Sequence, residues 1–103
     1  LISWVVENIA KNAIDAMEGK GKLTVKLTTS PEWAHIDLKD TGKGMTPKQI
    51  RSIFKPGYTT KKRGWGLGLS LVKRIVEEYH NGKVFVFESQ PGVGTTFRIS
   101  IPM

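Results

Sequence analysis

KLTVKLTTSPEWAHIDLKD, residues 22–40, decides the fold. Leu23, Val25 and Leu27 alternate with polar residues, a period of two that predicts a strand with one buried face. Ser30, Pro31 and Glu32 make a turn. Trp33, His35 and Asp37 then alternate with Ala34, Ile36 and Leu38, which predicts a second strand. Strands joined by so short a link are antiparallel, because a parallel pair needs a long crossover. GKVFVFES (82–89) and TTFRISI (95–101), joined by QPGVG, repeat the arrangement.

Helical spacing fills the rest. Residues 2–17 carry apolar groups at 2, 5, 6, 9, 13, 16 and 17, and Gly19 is placed to cap that helix. TPKQIRSIF (46–54) offers Thr46 as N-cap and Pro47 as first helical residue. Residues 55–65 read as loop and 67–79 as helix, with Leu67, Leu69, Val72, Ile75 and Val76 as its core stripe. Trp4 and Trp33 are expected to pack between helix and sheet. His35, on the polar face of its strand, is expected to take a surface or cross-strand role rather than a chemical one. The predicted class is α+β: one domain over residues 1–103, a mostly antiparallel sheet covered by helices on one side.

Composition narrows the function. The 103 residues contain no cysteine, so disulfides and thiolate metal sites are excluded. No apolar run approaches the roughly 18–20 residues of a membrane span. The chain opens at Leu1 inside an apolar-periodic run, and is expected to be a domain excised from a longer protein. Net charge is +7. Nine of the sixteen Lys and Arg lie between Asp40 and Glu77, where no acidic residue occurs. That local field suits nucleic acid, an anionic surface or a phosphorylated ligand.

Four segments carry candidate chemistry. Asn8, Asn12 and Asp15 share a helix face, and carboxamide oxygens are hard, neutral donors suited to a hydrated magnesium ion. Asp40 ends a strand and is followed by Gly42 and Gly44; a carboxylate accepts from adenine's amino group and repels guanine's carbonyl. FKPGYTTKKRGWGLGL (54–69) sets Lys61, Lys62 and Arg63 before glycines 64, 66 and 68 at the start of a helix. Converging backbone N–H groups and the helix N-terminus favour a phosphate there. The spacing is not that of a Walker P-loop. Finally, Gly94 and Thr95 open the last strand.

In this order the segments resemble the catalytic, ATP-binding domain of sensor histidine kinases, in the superfamily shared with gyrase, Hsp90 and MutL-type ATPases. The resemblance covers nearly the whole chain. It implies a Bergerat-type two-layer α/β sandwich, with a mostly antiparallel mixed sheet under about three helices. NIAKNAIDA (8–16) is similar to the N box, which implies Asn12 as the Mg²⁺ ligand, Asn8 near the phosphates with a catalytic part, and Asp15 beside the nucleotide. DTGKG (40–44) is similar to the first glycine box, implying Asp40 on the adenine amine and Gly42 and Gly44 lining the base pocket. Phe54 and GYTTK, with Tyr58, Thr59, Thr60 and Lys61, resemble the F box, Lys61 serving the transferred phosphoryl group. Arg63, Gly64, Gly66, Leu67, Gly68 and Leu69 are similar to the second glycine box around the triphosphate. Thr95 resembles the threonine that reaches adenine through water. Trp65 and Gly57 depart from the family's pattern, both in the ATP lid.

Superfamily members that hydrolyse ATP carry a Glu four residues before the metal-binding Asn. Here that position is Asn8, and Glu7 lies about 100° away around the helix. The resemblance therefore implies ATP (or ADP) and Mg²⁺ as ligands, with the γ-phosphoryl group kept for an external histidine. That acceptor would lie on the protein's own dimerisation domain, in a homodimer, upstream of a response regulator. The implied domain is cytoplasmic, touches neither nucleic acid nor membrane, and leaves open an inner-membrane anchor elsewhere in the parent. A regulatory nucleotide-binding module, a superfamily ATPase and a basic nucleic-acid binder stay open as alternatives.

Overall fold

The computed structural model describes residues 2–55 and 68–103. In chain order the elements are α1 (Ile2–Ala16), β1 (Leu23–Thr29), β2 (Trp33–Asp40), α2 (Pro47–Ser52), α3 (Gly68–His80), β3 (Lys83–Gln90) and β4 (Gly94–Pro102). The strands form one sheet in the order β1-β2-β4-β3. All three pairings are antiparallel, so among the described residues the sheet is not mixed. The helices lie on one face, giving the expected α+β sandwich.

Strand parity sets the layers. Even-numbered residues of β2 face the helices: Ile36 stands opposite Ile99, Leu38 opposite Phe97 and Asp40 opposite Thr95. Val5 and Ile9 of α1, and Val72 and Val76 of α3, meet Leu38 and Ile99 in a core that excludes water. α2 buries no residue of its own, but Ile53 and Phe54 just after it pack on that core. Its start is fixed by a capping box: the Thr46 hydroxyl accepts from Gln49 N, and the Gln49 side chain accepts from Thr46 N. α1 ends where Glu18 and Gly19 turn left-handed, at φ 53° and 78°.

Two expectations fail. Val25 and Leu27 are 56% and 69% exposed, so the apolar face of β1 is not buried. β1 is one of the two edge strands, and the helices pack mainly on β2, β4 and β3, touching β1 only near Leu23. Trp33 does not lie between helix and sheet. Its parity puts it on the open face, where Lys83 Nζ sits 5.4 Å from its ring centroid. Trp4 does pack against the core.

The open face has its own order. His35 Nδ1 is 2.7 Å from Ser100 Oγ, a cross-strand contact and so one of the two roles expected of it. Arg98 donates twice to Asp37, at 2.7 and 2.8 Å, and its guanidinium lies 3.8 Å over the Phe87 ring. Arg98 thereby holds the Asp37 carboxyl below its ordinary 3.8. The β3–β4 register slips between Val86 and Glu88, a bulge at Phe87.

Candidate active site

A cavity of about 230 Å³ opens between α1, the end of β2, the start of α2 and the start of β4. Asp40 lies at its base, 3% exposed. A buried carboxylate is costly unless it is hydrogen-bonded. Here Asp40 Oδ1 accepts from Gly42 N at 2.9 Å and from Thr95 N at 3.2 Å. These two bonds lock the side chain of a residue that lines the cavity.

The glycines after Asp40 do something the sequence did not suggest. A Cβ on Gly42 would stand 2.7 Å from the Ala16 carbonyl oxygen. Gly42 thus lets the loop press against the last turn of α1, where Lys43 N donates to Ala16 O at 3.2 Å. Gly44, at φ +70°, lies against the Gln90 carbonyl, leaving no room for a Cβ. Gly44 lines the cavity, whereas Gly42 does not. Both hold backbone segments together around the pocket.

Of the other residues singled out, Asn12, Asp15, Leu69 and Thr95 line the cavity. Asn12 Nδ2 donates to the Asn8 carbonyl at 2.9 Å, which orients its amide. Asn8 lies one turn further back, its own amide donating to Trp4 O at 2.8 Å, and is not in the wall. Phe54 is not in the wall either; it meets Phe97 edge-on at 6.1 Å, with Lys73 Nζ 5.9 Å from its ring. Gly68 opens α3. Tyr58, Thr59, Thr60, Lys61, Arg63, Gly64, Gly66 and Leu67 lie outside the described residues.

Ala16, Lys43, Met45, Gln49, Ile53 and Phe97 also line the cavity and were not foreseen. Periodicity could have found three of them. Ala16 is four residues after Asn12 and Ile53 four after Gln49, each on one helical face; Phe97 is two after Thr95 on one strand face. The wall thus joins an apolar slot from Met45, Ile53, Leu69 and Phe97 to a polar floor from Asp40 and Thr95. Such a slot with one or two convergent polar groups suits a flat heteroaromatic ring. The donor set also fits a divalent cation near the rim. The Asn12 carboxamide supplies a hard neutral oxygen and Asp15 a hard anionic one, as magnesium prefers. Among the described residues, no group of three or more His, Cys, Asp or Glu is positioned to hold a metal by itself.

A family model described as "Histidine kinase-, DNA gyrase B-, and HSP90-like ATPase" matches residues 1–103. Sporulation kinase E of Bacillus subtilis is 43% identical over 103 residues, 99% of this chain but 14% of that protein. Sensor histidine kinase ZraS of Escherichia coli is 39% identical over 102 residues, again 99% of this chain and 22% of that protein. The chain therefore spans a minor part of these relatives' length. Among solved structures, a nucleotide-free catalytic domain of histidine kinase ThkA superposes with a TM-score of 0.85 at 32% identity, covering 98% of this chain and 66% of that one. Full-length ShkA, solved in complex with AMPPNP, gives a TM-score of 0.85 at 26% identity, over 98% of this chain and 21% of that one.

Proposed function

The chain belongs to the family of histidine kinase-, DNA gyrase B- and HSP90-like ATPases, and from that premise we propose that it binds Mg-ATP and donates the γ-phosphoryl group to a histidine on a separate dimerisation domain. The observation that carries the reading is Asp40. It is buried, fixed through one oxygen by two backbone N–H groups, and set in the wall of a slot with apolar sides. An acceptor-only group in that position selects a ring bearing an amino group, and adenine is such a ring. A hydrogen bond to a charged partner contributes roughly 1.5–3 kcal/mol, enough for Asp40 to dominate base choice.

The remaining groups take their parts from position. Met45, Ile53, Leu69 and Phe97 sandwich the base. Asn12 and Asp15, on the α1 side, would hold Mg²⁺ through oxygen; when bound, the ion neutralises charge on the phosphates. Asn8, a turn earlier on α1, would stand near the phosphates. Lys61 and Arg63, with the glycines at 64, 66 and 68, would cover the triphosphate. Phosphoryl transfer asks mainly for such positioning and charge neutralisation.

Glu7 is exposed on α1, next to Asn8 rather than in its place. No carboxylate therefore stands four residues before Asn12 to activate water, and bound ATP is held for a protein acceptor. ShkA's complex with AMPPNP supports nucleotide binding by a domain of this shape. The acceptor helices, a homodimeric parent, a downstream response regulator and a cytoplasmic setting belong to the same proposal, which the similarity to kinases supports. No helix among the described residues is long and apolar enough to cross a membrane.

The test is incubation of this chain with γ-labelled ATP, with and without the parent's dimerisation domain. Label on a histidine of that domain is expected, with little phosphate released by the chain alone. Steady phosphate release without the acceptor would mark an ATPase. An unlabelled acceptor would leave a nucleotide-binding module and end the kinase reading.

A further inference from the structure

The open face of the sheet carries a hollow of its own, away from the cavity on the helix side. The register explains it. Ser100 lies in β4 directly across from His35 of β2 on one side and Lys83 of β3 on the other. Trp33 and Phe85 stand two residues along those neighbouring strands, opposite Pro102 and Arg98. A small side chain among larger ones leaves a depression on a pleated surface, because cross-strand neighbours on one face stand side by side. The hollow has a volume of about 290 Å³ and is lined by Trp33, His35, Lys83, Phe85 and Ser100.

Its parts are held in place before anything binds. Ser100 is 4% exposed, and its hydroxyl lies 2.7 Å from His35 Nδ1, which fixes the floor. Lys83 reaches across β4 and sets its ammonium 5.4 Å from the Trp33 ring centroid. Among the described residues no carboxylate pairs with that ammonium, which has three protons to donate. Next to the hollow, Arg98 is held by Asp37 and lies 3.8 Å over the Phe87 ring. Phe85 and Phe87 stay 38% and 50% exposed. Aromatic rings and an arginine gathered on one open surface, with polar residues around them, are the composition of a protein-binding patch.

Charge and size select the occupant. By strand parity Lys26, Lys39, Lys83 and Arg98 share this face with two carboxylates, Asp37 and Glu88. Arg98 already holds Asp37, so the surplus is positive and favours an acidic partner. Ligand pockets run from roughly 300 to 1,000 Å³, so the hollow suits one side chain rather than a whole cofactor. Single-stranded nucleic acid fits less well. Its bases need open ring faces, and here Arg98 covers Phe87 while Lys83 sits over Trp33. Its phosphates would also meet Asp37 and Glu88. We propose that this face docks an acidic polypeptide segment. One large apolar side chain of the segment enters the hollow between Trp33 and Phe85, and a neighbouring carboxylate meets the Lys83 ammonium. The proposal does not rest on the nucleotide reading, since that cavity opens on the other face of the sheet.

The experiment probes the chain with a peptide array in which one Trp, Phe, Leu or Met is flanked by Asp and Glu. Lys-flanked peptides, acidic peptides without an apolar residue and oligo-dT serve as controls, and Kd is then measured for the best binder. Acidic peptides with an apolar anchor are expected to bind best, and more weakly as salt rises. Trp33→Ala is expected to raise Kd roughly tenfold or more, and Trp33→Phe, which keeps a ring, to regain part of the loss. Lys83→Gln is expected to raise Kd roughly two- to fivefold and to flatten the salt dependence. Circular dichroism checks the fold of each variant, and Phe85→Ala serves if Trp33→Ala does not fold. No binding by the anchored acidic peptides, a preference for the Lys-flanked peptides or oligo-dT, or a Kd unmoved by these substitutions would each overturn the proposal.

Discussion

Asp40 and Gly44 show how single residues can carry both architecture and chemistry. Asp40 Oδ1 accepts from Gly42 N and Thr95 N, joining the end of β2 to the start of β4, and Asp40 also lines the cavity. Gly44 is needed twice over, for φ +70° and for the Gln90 carbonyl against its α-carbon. A left-handed non-glycine residue costs roughly 1–2 kcal/mol, before any clash. Gly44→Ala is therefore predicted to lower stability by about 2 kcal/mol or more, a fall of roughly 8 °C or more in melting temperature. Thermal unfolding followed by circular dichroism measures it; an unchanged midpoint would contradict the packing account. The sequence pointed to Gly42 and Gly44 as pocket residues, and their backbone duties were invisible there. A glycine's neighbours come from Ala16 and Gln90, distant in sequence, and no local pattern names them.

Among the elements, those with strong periodicity were legible. α1, α3 and the β2 alternation were readable because one face of each is buried, and T-P-x-Q at residues 46–49 marked the start of α2 through its cap. Three features depended on tertiary placement instead. Val25 and Leu27 alternate like a buried face, yet helix coverage stops short of this part of β1. Trp33 looks like core by residue type, but its parity, opposite to that of Leu38, assigns it to the open face. The bulge at Phe87 leaves no mark in V-F-V-F-E-S, because the inserted residue is as apolar as its neighbours. It moves Ser89 from one face to the other, so the sequence alone hid that Ser89 Oγ lies 2.8 Å from Thr95 Oγ1. Of the candidate site, Asn12, Asp15, Asp40, Gly44, Leu69 and Thr95 were foreseen in the cavity wall. The apolar sides were not, because Met45, Ile53 and Phe97 read equally well as ordinary core.

At the scale of the whole molecule, the two faces of the sheet divide the work. The helix side holds the core and the cavity. The open side holds Asp37 and Arg98, with side chains 14% and 23% exposed, tying β2 to β4. Arg98 lowers the Asp37 pKa first by hydrogen bonding and then by its charge. A carboxyl with a lower pKa folded than unfolded stabilises above its unfolded value, and that stability is lost as pH falls through the folded value. Asp37→Asn is accordingly predicted to be less stable than wild type by about 1–3 kcal/mol at pH 7. The gap should close on acidification below the ordinary 3.8, as read from urea midpoints at several pH values. A gap independent of pH would refute the ion-pair account. The central claim concerns the other face: Asp40 makes the cavity a site for adenine. Calorimetric titration of wild type and Asp40→Asn with Mg-ATP and Mg-GTP tests it most directly. The account predicts that wild type binds ATP at least roughly tenfold more tightly than GTP. It predicts that Asp40→Asn loses ATP affinity by about 10- to 100-fold while still folding, since its carboxamide oxygen can accept from Gly42 N and Thr95 N. A folded Asp40→Asn that binds ATP as wild type does would contradict it.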